Sequence, residues 1–218
     1  MSNTVIGVSR ISGLTPYADG FALQEHTRAA VESGESPSTL LLMEHTPVIT
    51  LCRNAEEKNL LKSRSEFEKL GIDVVEVDRG GDVTYHGPGQ LVAYPVLNLA
   101  NWKQSLGWYL RRLEDTLIQT LDHFNLTGER IEGMTGVWVN DAKIAAIGVG
   151  VRNWITYHGI ALNIDPQMEH FDLIVPCGIR NKPVTSLRAV MGGTAPNLAV
   201  VASAYASVFQ TTFSKPIN

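Results

Sequence analysis

The sequence predicts an α+β fold, in which helices pack on a mixed, largely antiparallel sheet. The first observation is that short apolar runs follow one another closely, as they do when neighbouring strands pair. The clearest case is the pair of runs at 137–139 and 143–151, which flank Asn140 and Asp141 as in a hairpin. The second observation is that amphipathic stretches of helical spacing stand between these runs and at both ends of the chain, where they can cover the sheet.

The first third of the chain predicts two helices and two strands. Thr15 and Pro16 are typical of an N-cap followed by proline in the first helical position, and the helix they open would end near Gly34. Ser63 and Glu66 have the spacing of a capping box, which predicts a short helix ending at Gly71. Between these helices, the apolar runs at 39–44 and 48–51 predict short strands.

The rest of the chain predicts further strands and two longer helices. Buried strands are expected at 74–77 and 91–94, on either side of a glycine-rich stretch. The clearest helix follows, because its apolar residues recur at helical spacing: Leu106, Tyr109, Leu110, Leu113, Leu117 and Leu121. The hairpin comes next, with residues 154–163 as a third strand, and residues 198–213 form a last amphipathic helix.

Composition limits the classes of protein to which the chain can belong. With 218 residues, of which 44% are hydrophobic, it can bury a sizeable core, and we expect one domain over residues 1–218. The formal net charge of −4 argues against a nucleic-acid-binding protein. We expect no membrane association, since no apolar run approaches the ~20 residues that span a bilayer. The two cysteines are too few for a disulfide framework and favour a reducing cytoplasm.

The most informative stretch is residues 79–90, RGGDVTYHGPGQ. It holds four glycines, a proline, an arginine and a histidine between two predicted strands. Glycines this dense allow backbone N–H groups to approach a ligand, although a plain connection between strands would look similar. The stretch has neither the lysine of a P-loop nor the glycine spacing of a dinucleotide fingerprint.

Three further informative segments follow this loop along the chain: residues 135–148, residues 158–163, and residues 174–179 followed by Thr185-Ser186-Leu187. With these four segments the chain resembles the lipoate-protein ligase B family, the octanoyltransferases that begin protein lipoylation. The resemblance covers about residues 40–187. It implies the catalytic-domain fold that these enzymes share with biotin and lipoate ligases. The chain departs from the family pattern at Cys52, where a small residue is common, and at Asp82, where glutamine is common.

Cys177 lies between Pro176 and Gly178, which are typical of a turn that exposes a side chain. A lone cysteine is often only a small buried hydrophobe, but the resemblance implies that Cys177 is the nucleophile. Lys143 opens an otherwise apolar run, where a lysine commonly extends its ammonium to solvent. The resemblance instead implies a dyad, in which Lys143 activates the thiol and moves protons.

The resemblance also implies an acyl pocket built from three segments. Its residues are Arg79, Gly80, Gly81, Asp82, Val83, Thr84, Tyr85, His86, Ala146, Ile147, Gly148, Gly159, Ile160 and Ala161. Arg79 could alternatively form an ion pair with Asp78 or Glu76, and His86 and His158 could be core side chains. We expect His26, His45, His123 and His170 to have no role. No spacing indicates a zinc site, and neither a metal nor a cofactor is expected.

The resemblance implies the following reaction. Octanoyl-acyl carrier protein donates the acyl group, and a lysine of a lipoyl domain receives it after a Cys177 thioester intermediate. The implied acceptors are the lipoyl domains of 2-oxoacid dehydrogenase E2 subunits and the glycine cleavage H protein. We expect a monomeric cytoplasmic enzyme.

Three other functions stay open on the sequence. An ATP-dependent lipoate or biotin ligase would have the same fold but no need for Cys177. A non-catalytic acyl- or lipoyl-domain-binding protein would need neither Cys177 nor Lys143. A Cys/His hydrolase using His86 or His158 as its base would release free octanoate.

Overall fold

A computed structural model of the chain describes residues 5–52, 55, 57–175 and 182–214. Ten strands are present in this part of the chain. They are β1 (Gly7–Thr15), β2 (Thr39–His45), β3 (Val48–Cys52), β4 (Asp73–Val77), β5 (Val83–His86), β6 (Gln90–Val96), β7 (Glu129–Ile131), β8 (Met134–Val139), β9 (Ala142–Arg152) and β10 (Ile155–Asn163).

The strands form a large sheet and a small one. The seven-stranded sheet has the order β1-β2-β6-β10-β9-β8-β7, and only its β1–β2 pair is parallel. The three-stranded sheet has the order β4-β3-β5, with β3 parallel to β4 and antiparallel to β5. The prediction of a mixed, largely antiparallel α+β fold is therefore confirmed.

Five α-helices accompany the strands in the described residues: α1 (Tyr17–Ser33), α2 (Arg64–Lys69), α3 (Leu106–Asp122), α4 (Leu187–Val190) and α5 (Leu198–Ser214). Helices α3 and α5 pack on one face of the large sheet, where their apolar residues form the main core with those of β6, β9 and β10. Helix α1 packs on the opposite face. None of the helices in the described residues is long and apolar enough to cross a membrane.

The local signals for helix ends mostly act as expected. Ser63 and Glu66 form the capping box of α2, and Gly34 ends α1 in the left-handed conformation. The start of α1 was predicted one residue early, because its N-cap is Pro16 while Thr15 is the last residue of β1. Strand β1 itself was not predicted, since most of its residues are exposed and its sequence has no apolar alternation.

The hairpin of β8 and β9 is confirmed, and it contains an irregularity that the sequence did not indicate. Asn140 and Asp141 both have positive φ, at 51° and 63°, as a two-residue turn of this hand requires. Beyond the turn, Trp138 pairs with Lys143 but Val137 pairs with Ala145, so β9 holds one extra residue. This is a β-bulge, and it changes which side chains of β9 face each side of the sheet.

Candidate functional site

A narrow cavity lies between the small sheet and the helix α1 face of the large sheet. Its volume is about 40 Å³. Its walls come from α1, β5, β6, β9, β10 and the loop before β5. The lining residues are Tyr17, Arg79, Gly81, Thr84, His86, Val92, Tyr94, Ala146, Ile147, Gly148, His158, Gly159, Ile160 and Ala161. Ten of the fourteen residues expected to form a pocket are thus brought together around one space.

Part of the wall from the large sheet is made of small residues. Gly148 pairs with Gly159 and Ala146 pairs with Ala161, on neighbouring strands β9 and β10. A Cβ atom on Gly148 would lie 2.8 Å from the carbonyl oxygen of Gly80 and 2.9 Å from a guanidinium nitrogen of Arg79. Glycine is therefore needed at 148 for the loop to approach β9, and the small side chains leave a slot beside the sheet.

The opposite wall comes from β5, where side chains alternate between two environments. Thr84 and His86 face the cavity. Val83 and Tyr85 are fully buried on the other side, in the core that the small sheet forms with α2 and with residues 168–174. Because side chains alternate along β5, Val83 and Tyr85 do not line the cavity, although both were expected in the pocket. The phenol of Tyr85 is buried, and this raises its pKa to about 12.

Gly80 and Asp82 do not line the cavity either, and both have structural contacts. Gly80 donates its N–H to the carbonyl oxygen of Val149 at 2.9 Å, which joins the loop to β9. The Asp82 carboxylate accepts a hydrogen bond from the Asn59 side chain at 2.8 Å. The charge of Asp82 therefore points away from the cavity, toward the segment before α2.

Arg79 braces the loop from inside the cavity. Its guanidinium donates to Thr50 Oγ1 at 2.8 Å, to the Gly80 carbonyl at 3.1 Å and to the Asp82 carbonyl at 3.4 Å. The expected alternative, an ion pair with Asp78 or Glu76, is not formed: Asp78 interacts with Tyr157 and His158, and Glu76 with Arg64. Arg79 thus brings a positive charge to the cavity.

His86 is buried in the cavity wall, and its ring is held by a polar chain. Nδ1 lies 2.7 Å from Oε1 of Gln90, whose amide nitrogen donates to Asn163 Oδ1 at 2.8 Å. Burial lowers the pKa of His86 to about 3, with smaller contributions from the neighbouring His45 and Arg79. The imidazole is therefore neutral at physiological pH.

His158 occupies a strained position at the same cavity. Its φ is 54°, which is unusual for a histidine, and its backbone N–H donates to the buried Gln24 side chain at 2.7 Å. Nε2 lies 3.4 Å from the Asp78 carboxylate. Burial lowers the pKa of His158 to about 4, although the hydrogen bond to Asp78 opposes the shift. The strain lies in the backbone of His158, and its ring lines the cavity.

Aromatic rings from distant segments complete the site. Tyr17 of α1 stacks on His86 at 6.5 Å, and Tyr94 of β6 meets His158 edge-on at 6.3 Å. His45 lies behind them and contacts the Tyr94 hydroxyl through Nε2 at 2.8 Å; burial lowers its pKa. His45, for which we expected no role, supports this ring cluster but does not line the cavity. Tyr17 and Tyr94 were missed because no local pattern marks them.

Lys143 shares the cavity face of β9 because of the bulge. Ile144 and Ala145 both point into the main core, so the alternation shifts by one residue and Lys143 joins the face of Ala146 and Gly148. Its ammonium lies 5.2 Å from the centre of the Trp138 ring. Its methylene stem crosses Gly136, where a Cβ atom would lie 2.7 Å from Lys143 Cε.

Cys177 lies outside the described residues, but the chain on each side of it is fixed. Before it, Val175 donates its N–H to the Asn59 carbonyl at 2.8 Å. After it, Pro183 accepts from the backbone N–H of Lys143 at 2.8 Å, and Thr185 donates to the Lys143 carbonyl at 2.9 Å. Among the residues that the structure describes, no cluster of three or more histidine, cysteine or acidic side chains could hold a metal ion.

The sequence is similar to a known family along most of its length. The model of the lipoyl protein ligase A/B catalytic domain matches residues 16–210. A protein of Solibacter usitatus named octanoyltransferase is 48% identical over 82% of this chain and 80% of its own. An octanoyltransferase of Gloeobacter violaceus is 44% identical over 90% of this chain and 87% of its own.

Solved structures of ligases have the same fold at low sequence identity. A lipoate-protein ligase A bound with ATP superposes with a TM-score of 0.77 at 14% identity, covering 100% of this chain and 88% of that one. The biotin protein ligase of Aquifex aeolicus in complex with biotin and ATP superposes with a TM-score of 0.60 at 13% identity, covering 96% of this chain and 71% of that one. The expected fold, that of biotin and lipoate ligase catalytic domains, is confirmed.

Proposed function

The chain belongs to the lipoyl protein ligase A/B catalytic-domain family, and on that premise we propose that it is an octanoyltransferase. It moves an octanoyl group from the thioester of acyl carrier protein to a lysine ε-amine of a lipoyl domain. The observation that carries this proposal is the 44–48% identity to octanoyltransferases over more than four fifths of the chain. The lipoyl domains of 2-oxoacid dehydrogenase E2 subunits and the glycine cleavage H protein are the proposed acceptors.

The cavity suits a linear acyl chain. In its large-sheet wall, alanine and glycine residues leave a narrow slot, and Val92 and Ile160 add apolar surface. Small-molecule sites of this kind combine an apolar wall with a few polar groups that fix orientation. Here the polar groups are Arg79, Thr84 and His86. We propose that the alkyl chain lies along the slot and that N–H groups of the glycine loop receive the thioester oxygen as charge develops on it.

Cys177 is the proposed nucleophile. A thiol with the ordinary pKa of about 8.5 is only a few per cent ionised at neutral pH, so it needs a base or a positive charge nearby. Lys143 is the proposed partner. Two features support this choice: the bulge turns Lys143 toward the cavity face, and backbone hydrogen bonds tie its strand to the segment that follows Cys177.

The proposed reaction consists of two acyl exchanges. The Cys177 thiolate attacks the donor thioester carbonyl, the carrier thiolate leaves, and a protein thioester forms. The acceptor lysine amine then attacks this thioester, and the Cys177 thiolate leaves as an amide bond forms. Lys143 takes the thiol proton before the first step and supplies a proton to the departing carrier thiolate. In the second step it takes the proton that the attacking amine loses.

The neutral histidines weigh against the hydrolase alternative. A general base works best when its pKa lies near the working pH. The pKa values of His86 and His158 are lowered to about 3 and about 4, so each ring is a weak base at neutral pH.

The test is a transfer reaction with two donors. Octanoyl-acyl carrier protein and an apo lipoyl domain should yield an octanoyl-lysine, seen by mass spectrometry, at full rate with EDTA present and ATP absent. A thioester is already activated, so no nucleotide is needed. Free octanoate with ATP and magnesium should give no product. Robust ATP-dependent use of free octanoate would place the protein with the ligases, and release of free octanoate without lysine modification would make it a hydrolase.

A further inference from the structure

A chain of buried side chains fixes which nitrogen of His86 carries its proton. His86, Gln90 and Asn163 are 7%, 1% and 4% exposed. The Gln90 amide nitrogen lies 3.2 Å from the Tyr85 carbonyl oxygen and 2.8 Å from Asn163 Oδ1. A carbonyl oxygen can only accept, so the NH₂ group of Gln90 must face Tyr85, and its Oε1 must face His86.

The same reasoning orients the next link. The Asn163 amide nitrogen donates to the Thr185 carbonyl oxygen at 3.0 Å, which leaves Asn163 Oδ1 to accept from Gln90. The hydrogen bonds therefore run in one direction, from His86 through Gln90 and Asn163 to Thr185. Because Gln90 Oε1 is an acceptor at 2.7 Å, His86 Nδ1 must be the donor. A neutral imidazole with its proton on Nδ1 has a bare lone pair on Nε2.

His86 Nε2 has no hydrogen-bond partner among the described residues, and the ring lines the cavity. A ligand that fills the cavity would separate this acceptor from solvent, and an acceptor left without a partner is costly, so we expect the ligand to supply a donor. The partner must carry an N–H or O–H donor. An octanoyl chain has no such donor, so the acyl tail cannot be the hydrogen-bond partner of His86 Nε2.

We propose that His86 Nε2 accepts a hydrogen bond from an N–H group of a substrate, and that Gln90 and Asn163 are positioning residues that hold this tautomer. The inference depends on the proposed acyl transfer, which supplies two sources of that donor. One is the amine of the acceptor lysine, and the other is an amide of the phosphopantetheine arm of the carrier protein. Through Thr185, the same chain of bonds also steadies the backbone of Lys143.

The first test is ¹⁵N NMR of the histidine rings in the unliganded wild-type protein. We expect His86 Nδ1 to be protonated and Nε2 to be unprotonated at neutral pH. In Gln90→Met, which removes the acceptor, the spectrum should move toward a mixture of tautomers. A wild-type ring with its proton on Nε2, or a charged ring, would overturn the inference, and this result does not depend on any activity.

The second test separates the two sources by measuring each half-reaction. His86→Asn keeps a donor near the Nδ1 position for Gln90 but removes the acceptor at Nε2. We expect it to slow one half-reaction on the order of tenfold, as the loss of one aligned hydrogen bond would. Slower loading from octanoyl-acyl carrier protein would assign the donor to the carrier arm. Slower transfer from the preloaded enzyme would assign it to the acceptor lysine.

The control is His123→Asn, which changes an exposed histidine at the end of α3 and should leave both half-reactions unchanged. Unchanged rates of both steps in His86→Asn, with normal thermal unfolding, would overturn the inference. A wild-type protein that transfers no octanoyl group would refute the proposed function, while the NMR spectrum would still decide the tautomer.

Discussion

Replacing Gly148 by alanine is expected to damage the cavity from its large-sheet wall. The added methyl carbon would lie 2.8 Å from the Gly80 carbonyl oxygen, whereas ordinary contacts begin at 3.4 Å, so the loop must retreat by about 0.6 Å. The obstacle is backbone, and it is held in place by the Gly80–Val149 hydrogen bond at 2.9 Å. The same methyl group would press on Arg79, which braces the loop.

We expect Gly148→Ala to lower the free energy of unfolding by about 1–3 kcal/mol, as overpacking of a close contact does. Misplacement of cavity groups by a fraction of an ångström should also lower kcat/KM for octanoyl transfer by roughly 10- to 100-fold. Urea unfolding and an octanoyl transfer assay would measure the two effects. Working below the temperature at which the variant begins to unfold separates lost activity from lost fold.

Gly107→Ala is the matched control. Gly107 lies in the first turn of α3, and a Cβ atom there would have nothing within 4 Å. Alanine should stabilise this helix by about 0.5–1 kcal/mol and leave transfer unchanged. If Gly148→Ala kept wild-type stability and activity, the close approach of the glycine loop to β9 would be refuted.

Three further predictions concern the proposed dyad and the buried histidines. Lys143→Met should slow transfer by roughly 10²- to 10⁴-fold and move alkylation of the Cys177 thiol to higher pH; an unchanged alkylation profile with normal turnover would make Lys143 a surface lysine. Gly136→Ala should slow transfer and also lower stability, since the backbone φ at 136 is 135° and the methyl group would lie 2.8 Å from the Ala145 carbonyl oxygen and 2.7 Å from Lys143 Cε; wild-type rates and stability would contradict this close packing around Gly136. Urea unfolding should show that the free energy of unfolding falls as the pH drops below the ordinary histidine pKa of about 6.5. Below that pH the histidines of the unfolded chain bind protons, whereas in the folded protein the pKa values of buried His86 and His158 are only about 3 and about 4. His86→Asn should lose less stability over this range than wild type, by up to about 1.4 kcal/mol per pH unit; equal slopes would contradict a neutral buried His86.

Local signals in the sequence predicted the elements whose determinants are local. The capping box of α2, the turn at Asn140 and Asp141, and the leucine spacing of α3 each depend on residues close together in the chain, and each is present. Strand β1 could not be predicted, because it is held by parallel pairing with β2 and not by a buried face of its own. Strand β5 was not predicted either, because its four residues, all of them buried, lie within the glycine-rich stretch that we interpreted as a loop.

The candidate site was predictable as segments but not as side chains. The resemblance named the three segments that meet at the cavity, yet strand alternation within β5 turns Val83 and Tyr85 away from it. Tyr17 and Tyr94 come from α1 and β6, and only the packing of α1 on the sheet brings them together. The bulge that turns Lys143 toward the cavity face is a property of strand register, which a single strand's sequence does not reveal. The single domain over residues 1–218, the cytoplasmic location and the monomeric state stay predictions.

The most direct test of the proposed mechanism is the covalent intermediate. The protein should be incubated with octanoyl-acyl carrier protein alone, digested and analysed by mass spectrometry. We predict one octanoyl adduct, on Cys177, that hydroxylamine removes and that an apo lipoyl domain discharges into an octanoyl-lysine. Cys177→Ala should stay folded without forming it, while Cys52→Ala should form it normally. An adduct on Cys52, or transfer at the wild-type rate by Cys177→Ala, would contradict the mechanism.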